Sequence, residues 1–192
     1  SIFKILKDEF NFDLKSTKYF AGHSLGEYSA LVSSNALSFR DAIYLLHERG
    51  KAMQEAVPVG EGSMIAVLGA NLEDVKSLLK SNDGVCELAN DNSDGQIICS
   101  GEKNSVNNFQ VILKEKKIKY IPLKVSAPFH CSLMKSAADK MKEKISNIVF
   151  QILTIPYTLE SPPFARPSYW NPMKILNFKK KFWISKFIVS NL

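Results

Sequence analysis

The sequence predicts an α/β protein, and three features carry that prediction. They are a glycine-flanked serine between a short strand and a helix, a long amphipathic helix with an arginine in its apolar stripe, and a later run ordered βαββαβ. The first feature is local. Lys18-Tyr19-Phe20-Ala21 reads as a strand, and Glu27-Tyr28-Ser29-Ala30-Leu31-Val32 reads as the start of a helix. Between them Gly22-His23-Ser24-Leu25-Gly26 matches the G-x-S-x-G of a nucleophile elbow. In so tight a turn, side chains two positions before and after the serine should collide, so glycine is expected at both Gly22 and Gly26. The Ser24 hydroxyl is then exposed beside the N–H groups that open the helix, where donors and dipole suit an oxyanion. A glycine-flanked turn with an incidental serine is the plainer alternative, and the strand–helix context argues against it.

The second feature runs from Phe39 to Ala56, where Ala42, Leu45, Leu46, Ala52, Met53 and Ala56 follow helical spacing. Ser38 and Asp41 supply an S-x-x-D start signal. Arg49 lies inside this stripe. A guanidinium on the buried side of a helix is costly unless an anion meets it. Either a buried Asp or Glu pairs with it, which is the ordinary answer, or a substrate anion does. A carboxylate suits the planar fork of arginine, which can hold both oxygens.

The third feature occupies residues 60–125. Ser63 to Leu68 reads as a strand, Leu72 to Leu79 as a helix, and Val85 to Asn90 and Gln96 to Ser100 as a strand pair around Asn92-Ser93-Asp94-Gly95. Asn104 to Lys116 reads as a helix and Tyr120 to Val125 as a strand, so the order is that of a ferredoxin-like unit.

A serine nucleophile needs a base, and the chain holds three histidines, His23, His47 and His130. His23 adjoins Ser24, where the elbow should point its ring elsewhere. His47 falls on the polar side of its helix. His130 lies in Val125-Ser126-Ala127-Pro128-Phe129-His130-Cys131, at a proline turn after a strand, where catalytic groups tend to be carried. A lone loop histidine is usually structural; an elbow in the same chain makes the catalytic reading the better one. Cys131 beside it is a rival nucleophile without an elbow, and packing explains it more simply.

Together these stretches resemble a family. Gly22 to Ala30, Glu48-Arg49-Gly50-Lys51 with Met53-Gln54, Asn90 to Gln96, and Val125 to Met134 are similar, in order and separation, to the malonyl-CoA:acyl-carrier-protein transacylases of bacterial fatty-acid synthesis. The resemblance runs from about Lys18 to Ile145. It implies an α/β-hydrolase-like core, here incomplete, with the ferredoxin-like subdomain inserted and the active site in the cleft between. It also implies that Ser24 takes a malonyl group from coenzyme A and passes it to the phosphopantetheine thiol of acyl carrier protein. His130 would be the base, Arg49 would hold the malonyl carboxylate, and the Leu25 N–H would donate to the oxyanion. Phe129 would crowd an α-methyl branch, and His23 would join Arg49, Leu25 and Phe129 on the substrate side. No metal and no cofactor is implied beyond malonyl-CoA as substrate, and the full-length family would act as a monomer.

The same resemblance marks segments not found here. A G-Q-G-x-Q turn that supplies a second oxyanion donor should precede the elbow, and a segment whose carbonyl orients the histidine should follow. The chain as given is therefore expected to be nearly inactive, since one lost donor costs about 10²- to 10³-fold. The division expected is 1–59 for part of the core, 60–125 for the small subdomain, 126–150 for the return with the histidine loop, and 151–192 for an atypical tail. That tail contains no glycine, five of eight prolines and both tryptophans, and it carries +5 of the formal +6 charge. It reads as a translation out of frame; a basic-aromatic segment for a membrane surface or nucleic acid is the other reading. Cys86, Cys99 and Cys131 are odd in number and lack metal spacing, which suits a reducing cytoplasm. Two functions from other classes stay open, a non-catalytic remnant of the family and a serine hydrolase with water as acceptor. Arg49 speaks against the hydrolase, because a plain esterase needs no buried cation facing its acyl group.

Overall fold

A computed structural model of the 192-residue chain describes residues 2–13, 17 and 20–151. The expected tail from 152 onward, and Lys18 and Tyr19 of the expected first strand, lie outside the described residues. Phe20 makes an isolated bridge and is buried.

Helix α1 (Ile2–Asp8) lays Phe3 against a helical core built mainly by α2 (Leu25–Ser33) and α3 (Phe39–Ala56). Helix α3 starts where the sequence predicts. Ser38 takes extended angles, φ −65° and ψ 147°, and its Oγ accepts the Asp41 N–H at 3.0 Å. Its buried face is Ala42, Leu45, Arg49, Ala52 and Met53, so the arginine does occupy the apolar stripe. His47 is exposed.

The sheet follows. Strand β1 (Gly62–Leu68), helix α4 (Leu72–Lys80), strands β2 (Cys86–Ser93) and β3 (Gln96–Glu102), helix α5 (Lys103–Glu115) and strand β4 (Lys119–Pro122) succeed one another as expected. They form one open antiparallel sheet in the order β2-β3-β1-β4, with Ile65 opposite Cys99 and Ala66 opposite Ile98. Strand alternation divides the apolar side chains. Ile65, Val67, Cys86, Ile97 and Cys99 meet Val75, Val106, Phe109 and Leu113 of the two covering helices. Met64, Ala66 and Ile98 look out from the other face toward Phe129.

Two boundaries move. The expected four-residue turn shrinks to Asp94-Gly95, because shifts in register between Leu88 and Asn90 and between Asp91 and Ser93 keep the polar residues in the ladder. Gly95 sits at φ +73°, where a side chain would be strained. Strand β4 stops at Pro122 rather than Val125, since the Val125 N–H turns back to the Leu123 carbonyl at 3.1 Å.

Helices α1 and α6 (Lys135–Ser146) have no counterpart in the sequence prediction. Helix α6 buries Ala137, Met141 and Ile145 against α3, after a 3-10 turn over Ser132–Met134. Lys140–Glu55 (2.8 Å) and Lys144–Glu48 (3.0 Å) bridge the two helices at the surface, fixing register more than adding stability. The helical core and the outward sheet face meet at the loop between β4 and α6. Phe129 packs against both.

Candidate active site

Ser24 stands at the head of α2 with φ 53° and ψ −106°, a conformation that non-glycine residues rarely adopt. Such strain costs about 1–3 kcal/mol and persists only where neighbours enforce it. Gly22 is one of them, because a Cβ there would collide with the Gly26 carbonyl and the Glu27 nitrogen. Gly26 corrects the sequence expectation. A Cβ at that position meets nothing within 4 Å, because it points away from the turn into open space. Gly26 N–H donates to the His23 carbonyl at 2.8 Å and Glu27 N–H to the Ser24 carbonyl at 3.2 Å, which closes the turn. The Ser24 hydroxyl makes no cap for its own helix.

That hydroxyl faces two partners from distant parts of the chain. His130 Nε2 lies 3.3 Å from Ser24 Oγ, and Arg49 donates from its terminal nitrogen to the same oxygen at 2.9 Å. With the guanidinium donating to Oγ, the hydroxyl keeps its proton and one lone pair for the imidazole, and the tautomer of His130 sets which of the two it uses. His130 itself has φ 60°. It is carried by the loop between β4 and α6, in which Phe129 N–H donates to the Ala127 carbonyl at 3.1 Å.

Arg49 is 6 % exposed, and burial pulls its pKa below the usual arginine range, while Tyr28 and Glu27 act in the opposite sense. Burial pushes the Tyr28 phenol up, with Arg49 opposing. Glu27, itself buried, was not singled out in the sequence, because an acid in a first helical turn is ordinarily solvated. Its charge acts on Arg49, which is buried with it.

His23 does not turn away from the base. Its ring centroid is 6.1 Å from that of His130, and its Nε2 is 3.3 Å from Asn90 Oδ1 on β2. The elbow leaves the His23 and Leu25 side chains exposed rather than buried in the core. Asn90 is a second residue without a sequence assignment. It stands at the end of the strand the sequence predicts, in a stretch rich in turn formers, and β2 runs on past it to Ser93 through shifts in register. The Leu25 side chain is exposed, and its N–H is the first of α2 beyond Ser24. Cys131 donates its thiol proton to the Pro128 carbonyl at 3.1 Å, and burial pushes its pKa up, so it is held as a packed thiol. Among the described residues no group of three or more His, Cys, Asp or Glu could hold a metal ion.

A strained serine at a helix N-terminus, beside an imidazole and a buried cation, is an arrangement suited to acyl transfer through a serine ester. The acyl transferase domain family matches residues 15–166, running past the change of composition near residue 150. The chain belongs to that acyl transferase family. It is 50 % identical over 127 residues to the malonyl CoA-acyl carrier protein transacylase of Bacillus subtilis, covering 64 % of this chain and 40 % of the relative. The Escherichia coli K12 protein of the same name is 43 % identical over 145 residues, covering 74 % and 47 %. The chain thus spans about half the length of the curated relatives it matches. Among solved structures, the malonyl CoA-acyl carrier protein transacylase of Coxiella burnetii superposes with a TM-score of 0.84 at 31 % identity, covering 100 % of this chain and 57 % of that one. A malonyl-transacylase in complex with a type II PKS acyl-carrier protein superposes with a TM-score of 0.85 at 34 % identity, covering 100 % and 58 %.

Proposed function

We propose that this chain carries the site of a malonyl-CoA:acyl-carrier-protein transacylase, and that Ser24, His130 and Arg49 are its working residues. One observation carries the reading: side chains from two distant elements converge on the hydroxyl of a third, at 3.3 Å and 2.9 Å. His130 takes the proton of Ser24 as Oγ attacks the thioester carbonyl, and the oxyanion forms against the Leu25 N–H and the positive end of α2. Collapse breaks the carbon–sulfur bond, and the imidazolium returns the proton to the departing coenzyme A thiolate. In the second half the phosphopantetheine thiol gives its proton to His130, attacks the ester, and Ser24 regains the proton as it leaves. Arg49, already within reach of Oγ, binds the malonyl carboxylate bidentately at the far end of the acyl group. Phe129 and His23 border the same space.

The sheet order β2-β3-β1-β4 supports reading residues 60–125 as a ferredoxin-like subdomain set into a hydrolase-like core, with residues 1–59 and 126–150 on the core side. The site lies where the two meet. Among the described residues no helix is long and apolar enough to cross a membrane. Incubating the chain with malonyl-CoA and holo acyl carrier protein tests the function. Malonyl-carrier protein seen by mass spectrometry supports it. Malonate released without loaded carrier would mean a hydrolase, and neither product from folded chain would mean a remnant.

A further inference from the structure

We propose that Glu87 is a positioning residue for His130, acting through Ser132; this inference rests on the proposed role of His130 as the base. Glu87 sits on β2 opposite Ser100 of β3. Its neighbours Cys86 and Leu88 belong to the helix-covered face of the sheet, so Glu87 turns to the other face, where the histidine loop lies. There both carboxylate oxygens are engaged by one residue 45 positions away. Oε2 accepts the Ser132 N–H at 2.7 Å and Oε1 accepts the Ser132 hydroxyl at 2.6 Å.

Ser132 is two residues beyond His130 and opens the 3-10 turn that leads into α6. On the other side of His130 the ring of Pro128 packs so closely on Gly62 of β1 that a Cβ there would collide with it. The backbone of His130, at φ 60°, is therefore pinned to β1 on one side and to β2 on the other. Between the pins Cys131 closes the loop on the Pro128 carbonyl at 3.1 Å. A left-handed histidine keeps such a conformation only when its surroundings over-determine it. Of these two pins, Glu87 supplies the charged, two-pronged one, and it ties the reach of His130 toward Ser24 to the small sheet. A carboxylate that merely capped the turn would stabilise α6 without moving the imidazole.

The test uses the full chain with Glu87→Ala, Glu87→Gln, Ser132→Ala and the Glu87→Ala/Ser132→Ala pair. Two readouts are taken, the His130 ring resonances by proton–carbon NMR and the single-turnover rate of chain acylation by malonyl-CoA. Glu87→Ala should shift the His130 resonances while leaving those of His47 in place. It should slow acylation about tenfold at saturating malonyl-CoA, with the half-saturating concentration changed by less than about twofold. Ser132→Ala should cost about threefold, and the pair should be no slower than Glu87→Ala alone, as partners in one contact are not additive. Should Glu87→Ala fail to fold, Glu87→Gln, which keeps the shape and one acceptor, is read in its place with an expected loss of about threefold. A folded Glu87→Ala with unchanged His130 resonances and rate overturns the proposal. If the unaltered chain takes no acyl group, the transacylase reading fails, and the resonances alone still decide whether Glu87 sets His130.

Discussion

Replacing Arg49 with alanine separates a substrate-binding cation from a structural one. The guanidinium is 6 % exposed and donates to Ser24 Oγ at 2.9 Å, so it stands within one side chain's length of any acyl group esterified there. A malonyl carboxylate would gain a charge-assisted, two-pronged contact worth about 1.5–3 kcal/mol, which converts to roughly 10- to 150-fold in rate. An acetyl group offers nothing for that contact. The assay is acylation of the chain from malonyl-CoA and from acetyl-CoA, each in the original and in Arg49→Ala. The variant also loses the cation that acts on buried Glu27 and Tyr28, so its fold will be weakened. That loss is common to both substrates and cancels in their ratio. The malonyl-to-acetyl preference should fall by about one to two decades. Arg49→Lys should fall in between, retaining charge without the fork. An equal loss for both acyl groups would refute the reasoning and make Arg49 the structural partner of Glu27.

The two elbow glycines should behave differently. Gly22→Ala drives a methyl into the Gly26 carbonyl and should abolish acylation and lower the melting temperature, whereas Gly26→Ala has open space and should hold or raise stability by about 0.5–1 kcal/mol; equal damage at both sites, measured by thermal unfolding, would contradict this. Alkaline pH should weaken the fold. Burial holds the Cys86 thiol up at about 12 from 9.0 and raises Cys99 too, so these groups favour the folded state fully below pH 9. Above that the unfolded thiols ionise and the folded ones do not, which removes up to about 1.4 kcal/mol per pH unit per thiol. Urea midpoints should thus decline from pH 9 to 11, less steeply in Cys86→Ala; midpoints that rise would overturn the assignment.

Much of this architecture is written in patterns that one sequence displays. Ser38 and Asp41 announce α3 because an N-cap is a local bond, and Arg49 announces itself because a charge among Ala42, Leu45 and Met53 has no local explanation. The βαββαβ order is legible because each element is long enough to show its period. What the sequence hides depends on contacts between elements. Helix α6 carries Ala137, Met141 and Ile145 four apart, yet lysines surround them and only α3 reveals why they are buried. Strand β2 runs on from Asn90 through Ser93 because register shifts absorb polar residues, and Glu87 and Asn90 find their partners in the histidine loop and the elbow, which no alternation could forecast. Gly26 looks as constrained as Gly22 until the direction of its missing Cβ is known. His23 was expected to point away from a base whose own ring position depends on residues 106 places from the elbow's serine.

The most direct test of the account is where the acyl group goes. After an incubation with malonyl-CoA long enough to offset the expected loss of rate, intact-mass and peptide-mapping spectra should show one malonyl group on Ser24. The adduct should be absent in Ser24→Ala, and it should form at least about a hundredfold more slowly in His130→Ala, where the general base is lost. An adduct that survives Ser24→Ala, or that maps to Cys131, would contradict the account at its centre.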